Sequence, residues 1–145
     1  MSVALVRVCL LRPGARIPFR ASAHASGFDL YACLGDETVE VGQLPVVVGT
    51  GVALEIPPGL DAQVRPRSGL ARQGVLSTFG TIDADYRGEL MVTLYTVAPG
   101  IGHTVRDGDR IAQLVISRLA DVTFEEVGEL VATARGSGGH GSTGR

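Results

Sequence analysis

The chain has 145 residues, of which 45% are apolar, and a formal net charge of −2. This is the length of one domain with enough apolar side chains for a core. The weak negative charge gives no general attraction to nucleic acid or an anionic membrane, and no apolar run approaches the ~18 residues of a membrane helix. We therefore expect a cytoplasmic protein without a nucleic-acid or membrane partner.

Arginine supplies all 13 basic residues, since the sequence contains no lysine. Every cationic contact must then be made by a guanidinium group, which suits bidentate binding of phosphate. The two cysteines, Cys9 and Cys33, lie in apolar surroundings and have no metal-ligand spacing. They are interpreted as small core residues or free thiols.

The first half of the chain is predicted to form short strands. Residues 3–11 are apolar with one arginine and indicate a first strand, not a signal peptide. In residues 25–32, Asp29 lies on the side opposite to the alternating apolar residues. Further strands are predicted over residues 38–41, 44–48, 52–56 and 60–64, with turns at 49–51 and 57–59.

Residues 65–72 predict a short helical turn that could hold an anion. Ser68 is a favourable N-cap for one turn over residues 69–72. The unpaired N–H groups and partial positive charge of a helix N-terminus suit an anionic ligand.

Residues 80–90 crowd polar side chains between glycines. Mildly apolar residues 73–78 precede them, and residues 90–97, rich in β-branched and aromatic side chains, follow. This pattern predicts a tight hairpin whose second arm is a core strand. Its polar residues, Asp83, Asp85, Tyr86 and Arg87, exceed what a turn needs. The stretch is therefore a solvated loop or a functional site, with Asp85 facing solvent and Arg87 paired with Glu89.

Strands are also predicted over residues 110–116 and 121–127, and no amphipathic helix exceeds about two turns. Many short strands at roughly ten-residue spacing, broken by glycine and proline, predict an all-β sandwich or barrel. In residues 110–116, Gln113 alternates with apolar neighbours and is expected to point away from them.

The C-terminal residues 135–145 contain five glycines in eleven positions and cannot form a strand alone. They are either a disordered end or a phosphate-binding arm, because glycine lets backbone N–H groups approach a phosphate closely. Arginine, serine and threonine in this segment are phosphate-contacting types. RNA binding by a Gly/Arg tail is disfavoured by the negative net charge.

In this order, five segments resemble the five sequence motifs of the trimeric dUTP pyrophosphatases (dUTPases): residues 25–32, 66–71, 80–90, 110–116 and 135–144. Five matches in one order are far more specific than a single motif. The resemblance implies an all-β, jelly-roll-like barrel of short strands (β-clip) assembled as a homotrimer. It implies a β-domain over residues 1–134 and a flexible glycine-rich arm, residues 135–145, that closes over the active site.

The resemblance implies hydrolysis of dUTP to dUMP and pyrophosphate by water attack on the α-phosphate, with Mg²⁺ on the triphosphate. This activity limits uracil in DNA and supplies dUMP for thymidylate synthesis. Asp83 would orient and activate the water. Asp29 and Gln113 would hold water and metal-bound water, in the outer shell of a Mg²⁺ that no side chain binds directly.

The resemblance also implies the substrate contacts. The backbone of Gly80, Thr81 and Ile82 would bind the uracil edge. Tyr86 would lie under the deoxyribose and exclude a 2′-hydroxyl. His140 would stack on uracil. Phosphate and arm contacts would come from Arg67, Ser68, Gly69, Arg110, Arg135, Gly141, Ser142 and Thr143. The chain departs from the family at Ser77-Thr-Phe79, where several bacterial members have Asn-Ser-Pro.

Two alternatives share this scaffold. A dCTP deaminase would be expected to carry a catalytic glutamate in the strand after the hairpin, but the matching place near Thr93 has no acid. A nucleotide-responsive binding protein is the other alternative, and the presence of both Asp83 and Tyr86 favours turnover over binding alone.

Overall fold

The computed structural model describes residues 2–144, and nearly all its regular structure is short antiparallel strand. In chain order the elements are β1 (Arg7–Leu10), β2 (Gly27–Tyr31), β3 (Val39–Val41), β4 (Val46–Glu55), β5 (Leu60–Arg65), α1 (Ser68–Arg72), β6 (Val75–Ser77), β7 (Gly80–Ile82), β8 (Glu89–Thr96), β9 (His103–Val105) and β10 (Arg110–Arg118). The all-β prediction is confirmed. Within residues 2–144, no helix is long and apolar enough to cross a membrane.

Three sheets enclose the core. Their strand orders are β1-β4-β8-β6, β2-β10-β5-β7 and β3-β9, and every pairing is antiparallel. Alternate residues of the strands point inward and pack together, in the jelly-roll-like arrangement that was predicted. The core includes Leu30, Val48, Leu54, Val64, Leu90, Leu94, Ile111 and Leu114. Both cysteines are free thiols: Cys33 is buried, whereas Cys9 is exposed and is not a core residue.

The predicted turn at residues 49–51 is wrong, because these residues lie inside the ten-residue strand β4. The register between β4 and β8 shifts between Gly49 and Ala53, and Gly51 has a φ of 70°. Glycine at positive φ is compatible with a β-bulge as well as with a turn. Here the bulge keeps the strand continuous, so the glycines do not end it.

The two arms of the predicted hairpin are present and paired, but the connection between them is not a tight turn. β6 pairs with β8, whose alternating burial is that of a core strand. The connection between them contains β7, which pairs with β5 in the second sheet. The polar residues 83–88 therefore span the gap between two sheets.

The predicted strand at residues 121–127 is wrong. Residues 117–137 are all exposed. β10 ends at Arg118, and after it the bond from the Leu119 N–H to the Gly59 carbonyl (3.0 Å) is the last that joins the described residues of this segment to the sheets. A strand needs a partner edge, and no strand edge within residues 2–144 pairs with this segment. The first strand is also shorter than predicted, since β1 begins at Arg7.

Two buried hydroxyls, on Ser77 and Thr96, have no hydrogen-bond partner within the described chain. Replacing Thr96 by valine keeps the shape and removes an unpaired polar atom, so we expect it to stabilise the fold by about 1 kcal/mol. The matched control is Thr50→Val, because the Thr50 hydroxyl donates to the Leu90 carbonyl at 2.7 Å. Urea denaturation at one protein concentration should show opposite shifts for the two variants. Equal destabilisation would contradict the expectation.

Candidate active site

One group of site residues is an ion-paired cluster on β2, on the first half of β10 and at the residue before α1. Asp29 on β2 lies directly opposite Gln113 on β10. The Asp29 carboxylate accepts a bond from Arg67 Nε at 3.1 Å, and Arg110 Nη1 lies 3.7 Å from its second oxygen. The Asp29 side chain is 14% exposed. We call Asp29, Arg67, Arg110 and Gln113 the arginine–carboxylate cluster.

The Gln113 side chain is held in one orientation on the face opposite to its buried neighbours, as the alternation predicts. Its Nε2 donates to the Pro66 carbonyl at 2.9 Å. It lies over Gly27, where an added Cβ would come 3.1 Å from the Gln113 Cβ and overlap the amide. The amide therefore joins β10 to the segment that leads into α1.

The helix α1 follows this segment and differs from the prediction at its first residue. It runs over Ser68–Arg72, so Ser68 is the first helical residue, and the N-cap is Arg67, which makes no side-chain cap. Ser68 is wrong as an N-cap because the extended conformation ends one residue earlier than predicted. Ser68 and Gly69 are both exposed at the first turn.

The second group of site residues forms a small pocket of about 180 Å³ between β7 and β8. It is lined by Thr81, Ile82, Asp83, Tyr86, Glu89 and Met91. We call it the β7–β8 pocket. Four of these residues were predicted from the sequence, whereas Glu89 and Met91 were not predicted to line it. Asp85 is exposed, as expected, and does not line the pocket.

Tyr86 is fixed to the backbone behind it. Its hydroxyl donates to the Glu89 carbonyl at 2.9 Å, and its N–H donates to the Asp83 carbonyl at 3.0 Å. A Cβ at Gly88 would lie 2.6 Å from Tyr86 Cζ, so only glycine leaves room for the ring. Tyr86 is 43% exposed, and it forms one wall of the pocket.

The strand β7 is attached to β5 by main-chain and side-chain bonds. Gly80, Thr81 and Ile82 lie opposite residues 64, 63 and 62. Thr81 Oγ1 donates to Gln63 Oε1 at 3.2 Å, and Gln63 Nε2 donates to Asp61 Oδ1 at 2.8 Å. Sequence reasoning gave no reason to select Gln63 and Asp61, because their role depends on the pairing of two distant strands.

The cluster and the pocket are separate within one chain. Since β7 is antiparallel to β5, continuing from Ile82 to Asp83 moves away from Pro66 and the cluster. From Ala62, opposite Ile82, to Pro66 the distance along the strand is roughly 13 Å at ~3.3 Å per residue. Within residues 2–144, no hydrogen bond or ion pair joins the two groups.

An ion pair that the sequence did not predict lies behind the pocket. Arg12 binds the Glu89 carboxylate with both terminal nitrogens, Nη2 at 3.1 Å, and also donates to the Cys33 carbonyl at 3.0 Å. The Arg12 hydrogen bond is the main cause that lowers the pKa of Glu89, and Glu89 raises the pKa of Arg12. The expected Arg87–Glu89 pair is wrong, since Arg87 donates to the carbonyls of Ala84 and Tyr86 instead.

The C-terminal arm folds into turns of its own. Arg135 Nε donates to the Gly138 carbonyl at 2.7 Å, and the Ser142 N–H donates to the Gly139 carbonyl at 3.1 Å. His140 has a φ of 49°. Gly141, Ser142 and Thr143 are exposed. Within the described residues, the arm makes no hydrogen bond with the cluster or the pocket.

Fold and site together define a jelly-roll-like β-protein whose candidate site contains arginine and carboxylate side chains. The family model described as dUTPase matches residues 14–144. The chain therefore belongs to the dUTPase family, and the predicted family and fold class are confirmed.

Two relatives are similar in sequence to nearly the whole chain. A deoxyuridine 5′-triphosphate nucleotidohydrolase of Corynebacterium efficiens is 46% identical over 143 residues, covering 97% of this chain and 78% of the relative. One from Syntrophotalea carbinolica is 46% identical over 152 residues and covers 99% of both chains.

Among solved structures, the Staphylococcus bacteriophage 80alpha dUTPase with dUPNHPP has a TM-score of 0.86 and 27% identity, over 97% of this chain and 99% of that chain. A dUTPase variant of phage phi11 of S. aureus, with a structural Mg(II) ion, has a TM-score of 0.76 and 26% identity, over 86% and 97%.

Proposed function

We propose that the chain hydrolyses dUTP to dUMP and pyrophosphate as a Mg²⁺-assisted homotrimer, which limits uracil in DNA and supplies dUMP for thymidylate synthesis. One observation carries the proposal: Asp83 and Tyr86 line one small pocket in a chain whose relatives are deoxyuridine 5′-triphosphate nucleotidohydrolases. In this proposal the β7–β8 pocket holds the deoxyuridine, with the backbone of residues 80–82 at the uracil edge.

Asp83 is the residue best placed to activate water. Its side chain is exposed at the pocket wall, and no hydrogen bond or ion pair in the described chain occupies its carboxylate. A free carboxylate beside the sugar can accept a proton from water and direct the water's lone pair at the α-phosphorus. The Asp83 main chain is held by the bond from the Tyr86 N–H, which fixes the position from which the side chain extends.

The arginine–carboxylate cluster is suited to the triphosphate. Arg67 and Arg110 share the single carboxylate of Asp29, which leaves the three groups with one net positive charge. The exposed Ser68 and Gly69 add a hydroxyl and open backbone beside Arg67. Neutralising and positioning a polyanion is the main requirement of phosphoryl transfer.

The residues of the cluster also fit Mg²⁺ held mainly by phosphates. Within residues 2–144, no group of three or more His, Cys, Asp or Glu side chains could hold a metal ion alone. Mg²⁺ needs no such group when substrate phosphates and waters fill most of its positions. Asp29 and Gln113 would bind its water ligands, and the ion would supply charge neutralisation at the phosphates.

Assembly into a trimer would join the two groups of site residues. The cluster and the pocket lie on different parts of one chain, and the described part of the arm makes no hydrogen bond with either. The segment 119–131 also exposes apolar side chains, with Phe124 at 99% and Val131 at 94%. An apolar groove of about 520 Å³ lies on the body between residues 3–8 and β10. Exposed apolar surface of this kind favours self-association.

Equilibrium sedimentation should therefore give three times the chain mass of 15.1 kDa at micromolar concentration. Phe124→Ser should weaken the assembly and lower turnover in proportion to the trimer lost, because apolar burial drives association. A monomer with full activity would contradict the trimeric site.

Tyr86 should exclude ribonucleotides. The ring is held by the Glu89 carbonyl and by Gly88, so it cannot retreat from a 2′-hydroxyl. A clash or an unpaired buried hydroxyl costs ~2–4 kcal/mol. We expect Tyr86→Ala to raise UTP turnover relative to dUTP, measured as the ratio of kcat/KM values. Equal use of both nucleotides by the wild type would show that Tyr86 does not select the sugar.

The proposed function is tested by pyrophosphate release from dUTP with Mg²⁺, against dCTP and UTP. Release from dUTP alone supports it. Deamination of dCTP would favour the deaminase alternative, although β8 has threonine at position 93 and no acid there. Tight dUTP binding without release would favour a nucleotide-responsive binding protein.

A further inference from the structure

We propose that Arg12 and Glu89 are positioning residues that hold Tyr86 in place and thereby set the discrimination between dUTP and UTP. The inference rests on the proposed function. Tyr86 is 43% exposed, so packing alone does not fix its ring, yet selection against one hydroxyl requires a fixed wall.

The carboxylate of Glu89 is anchored in the β4 bulge. The Glu89 carboxylate lies against Gly49, where the register between β4 and β8 shifts. Arg12 closes the other side with two bonds. A Cβ at Gly49 would lie 2.7 Å from Arg12 Nη2 and would overlap Glu89, so the absence of a side chain there makes room for the pair.

Glu89 connects the ion pair directly to the β7–β8 pocket. The same Glu89 whose side chain is bound in the bulge accepts the Tyr86 hydroxyl on its carbonyl, at 2.9 Å. The Tyr86 ring also rests against Gly88. A shift of the Glu89 backbone would therefore move both supports of the ring together.

Arg12 links this anchor to other elements. It lies in the segment after β1 and donates to the Cys33 carbonyl, just after β2. Residues 83–88 cross between two sheets and have few other attachments. The ion pair therefore holds Glu89, where residues 83–88 join β8. The pairing of β8 alone would leave this junction freer to move.

The test compares three variants by the ratio of kcat/KM for dUTP to kcat/KM for UTP. Glu89→Gln keeps the size but removes the charge, Arg12→Lys keeps the charge but removes the two-nitrogen contact, and Tyr86→Phe removes the hydroxyl bond. Loss of one hydrogen-bonded support should lower the ratio by roughly two- to tenfold. The ratio should fall mainly because kcat/KM for UTP rises, while kcat/KM for dUTP changes little.

The matched control is Arg7→Gln, which breaks an ion pair to Glu55 on the neighbouring strands. That pair is also an arginine–glutamate contact, at 2.9 Å, but it is exposed, with side chains 75% and 47% accessible. It contacts neither Glu89 nor Tyr86, so the ratio should not change. Thermal unfolding of each variant separates a general loss of stability from a loss of selectivity.

A double-mutant cycle makes the test specific. If Glu89 acts through Tyr86, Glu89→Gln combined with Tyr86→Phe should lower the ratio no further than Tyr86→Phe alone. Additive effects, or an unchanged ratio in Glu89→Gln, would overturn the inference. A ratio that is close to the wild type in Glu89→Asp but lowered in Glu89→Gln would show that the negative charge is required.

A measurement without nucleotide distinguishes this inference from the proposed function. In ring-labelled protein, Glu89→Gln should shift the Tyr86 ring resonances and leave those of Tyr31 and Tyr95 unchanged, with Tyr86→Phe giving the assignment. No turnover of dUTP by the wild type would overturn the proposed function. An unmoved Tyr86 resonance would overturn the positioning role whether or not dUTP is hydrolysed.

Discussion

Replacing Asp83 by asparagine is expected to slow the chemical step by ~10²–10⁴-fold and to leave nucleotide affinity within about tenfold of the wild type. Asparagine keeps the size and most of the hydrogen bonds of aspartate but cannot accept the proton of the attacking water. Single-turnover rates with saturating protein measure the step, and calorimetry with a non-hydrolysable dUTP analogue measures the affinity.

Asp85 provides the matched control, because it lies in the same turn, is exposed and does not line the β7–β8 pocket. Asp85→Asn removes the same charge at nearly the same place and should leave both quantities within about twofold, as expected of a surface substitution. If Asp83→Asn lowers affinity and rate equally, Asp83 positions the ligand and another group activates the water.

Deletion of residues 136–145 is expected to lower turnover by about 10²-fold or more, the loss typical of removing a positioned donor from a developing charge. The trimer and its folding should survive, because the described part of the arm makes no hydrogen bond with the sheets, and its bonds to earlier residues go only to Thr133. Ordering the arm costs ~1 kcal/mol per residue, which a triphosphate can offset through Arg135, Ser142 and Thr143. Closure would exclude bulk water and complete the phosphate contacts.

His140→Ala is the matched comparison for the deletion, because it removes only the uracil stack, worth ~0.5–1.5 kcal/mol by analogy with aromatic pairs. Its loss should be much smaller than that of the deletion. Hydrogen exchange along residues 136–144 should slow when Mg²⁺ and the dUTP analogue are added. Equal exchange with and without the analogue, or full activity after deletion, would show that the arm is not a lid.

Local patterns in the sequence were sufficient where a residue's neighbours in the chain decide its environment. The alternation in residues 90–97 predicted β8 as a core strand, and the alternation around Gln113 predicted which way its amide points. Side-chain direction alternates along any strand, so these predictions need no knowledge of the partner.

Local patterns gave wrong predictions where pairing with a strand distant in the sequence decides the secondary structure. Glycines at positions 49 and 51 form a bulge because β8 pairs on both sides of them, and residues 121–127 form no strand because no edge in the described chain receives them. The extended conformation of Arg67 moved the start of α1, so Ser68 is not the cap.

By itself, the sequence determined the family, the all-β class and the order of the candidate site residues, because each motif is a run of neighbouring residues. Only the tertiary structure decided which motifs meet. It brought Asp29, Arg67 and Gln113 together, kept Asp83 apart from them, and placed Arg12 on Glu89 across 77 positions of the chain. Contacts of that range depend on strand register and sheet packing, and neither is encoded in the period of a single segment.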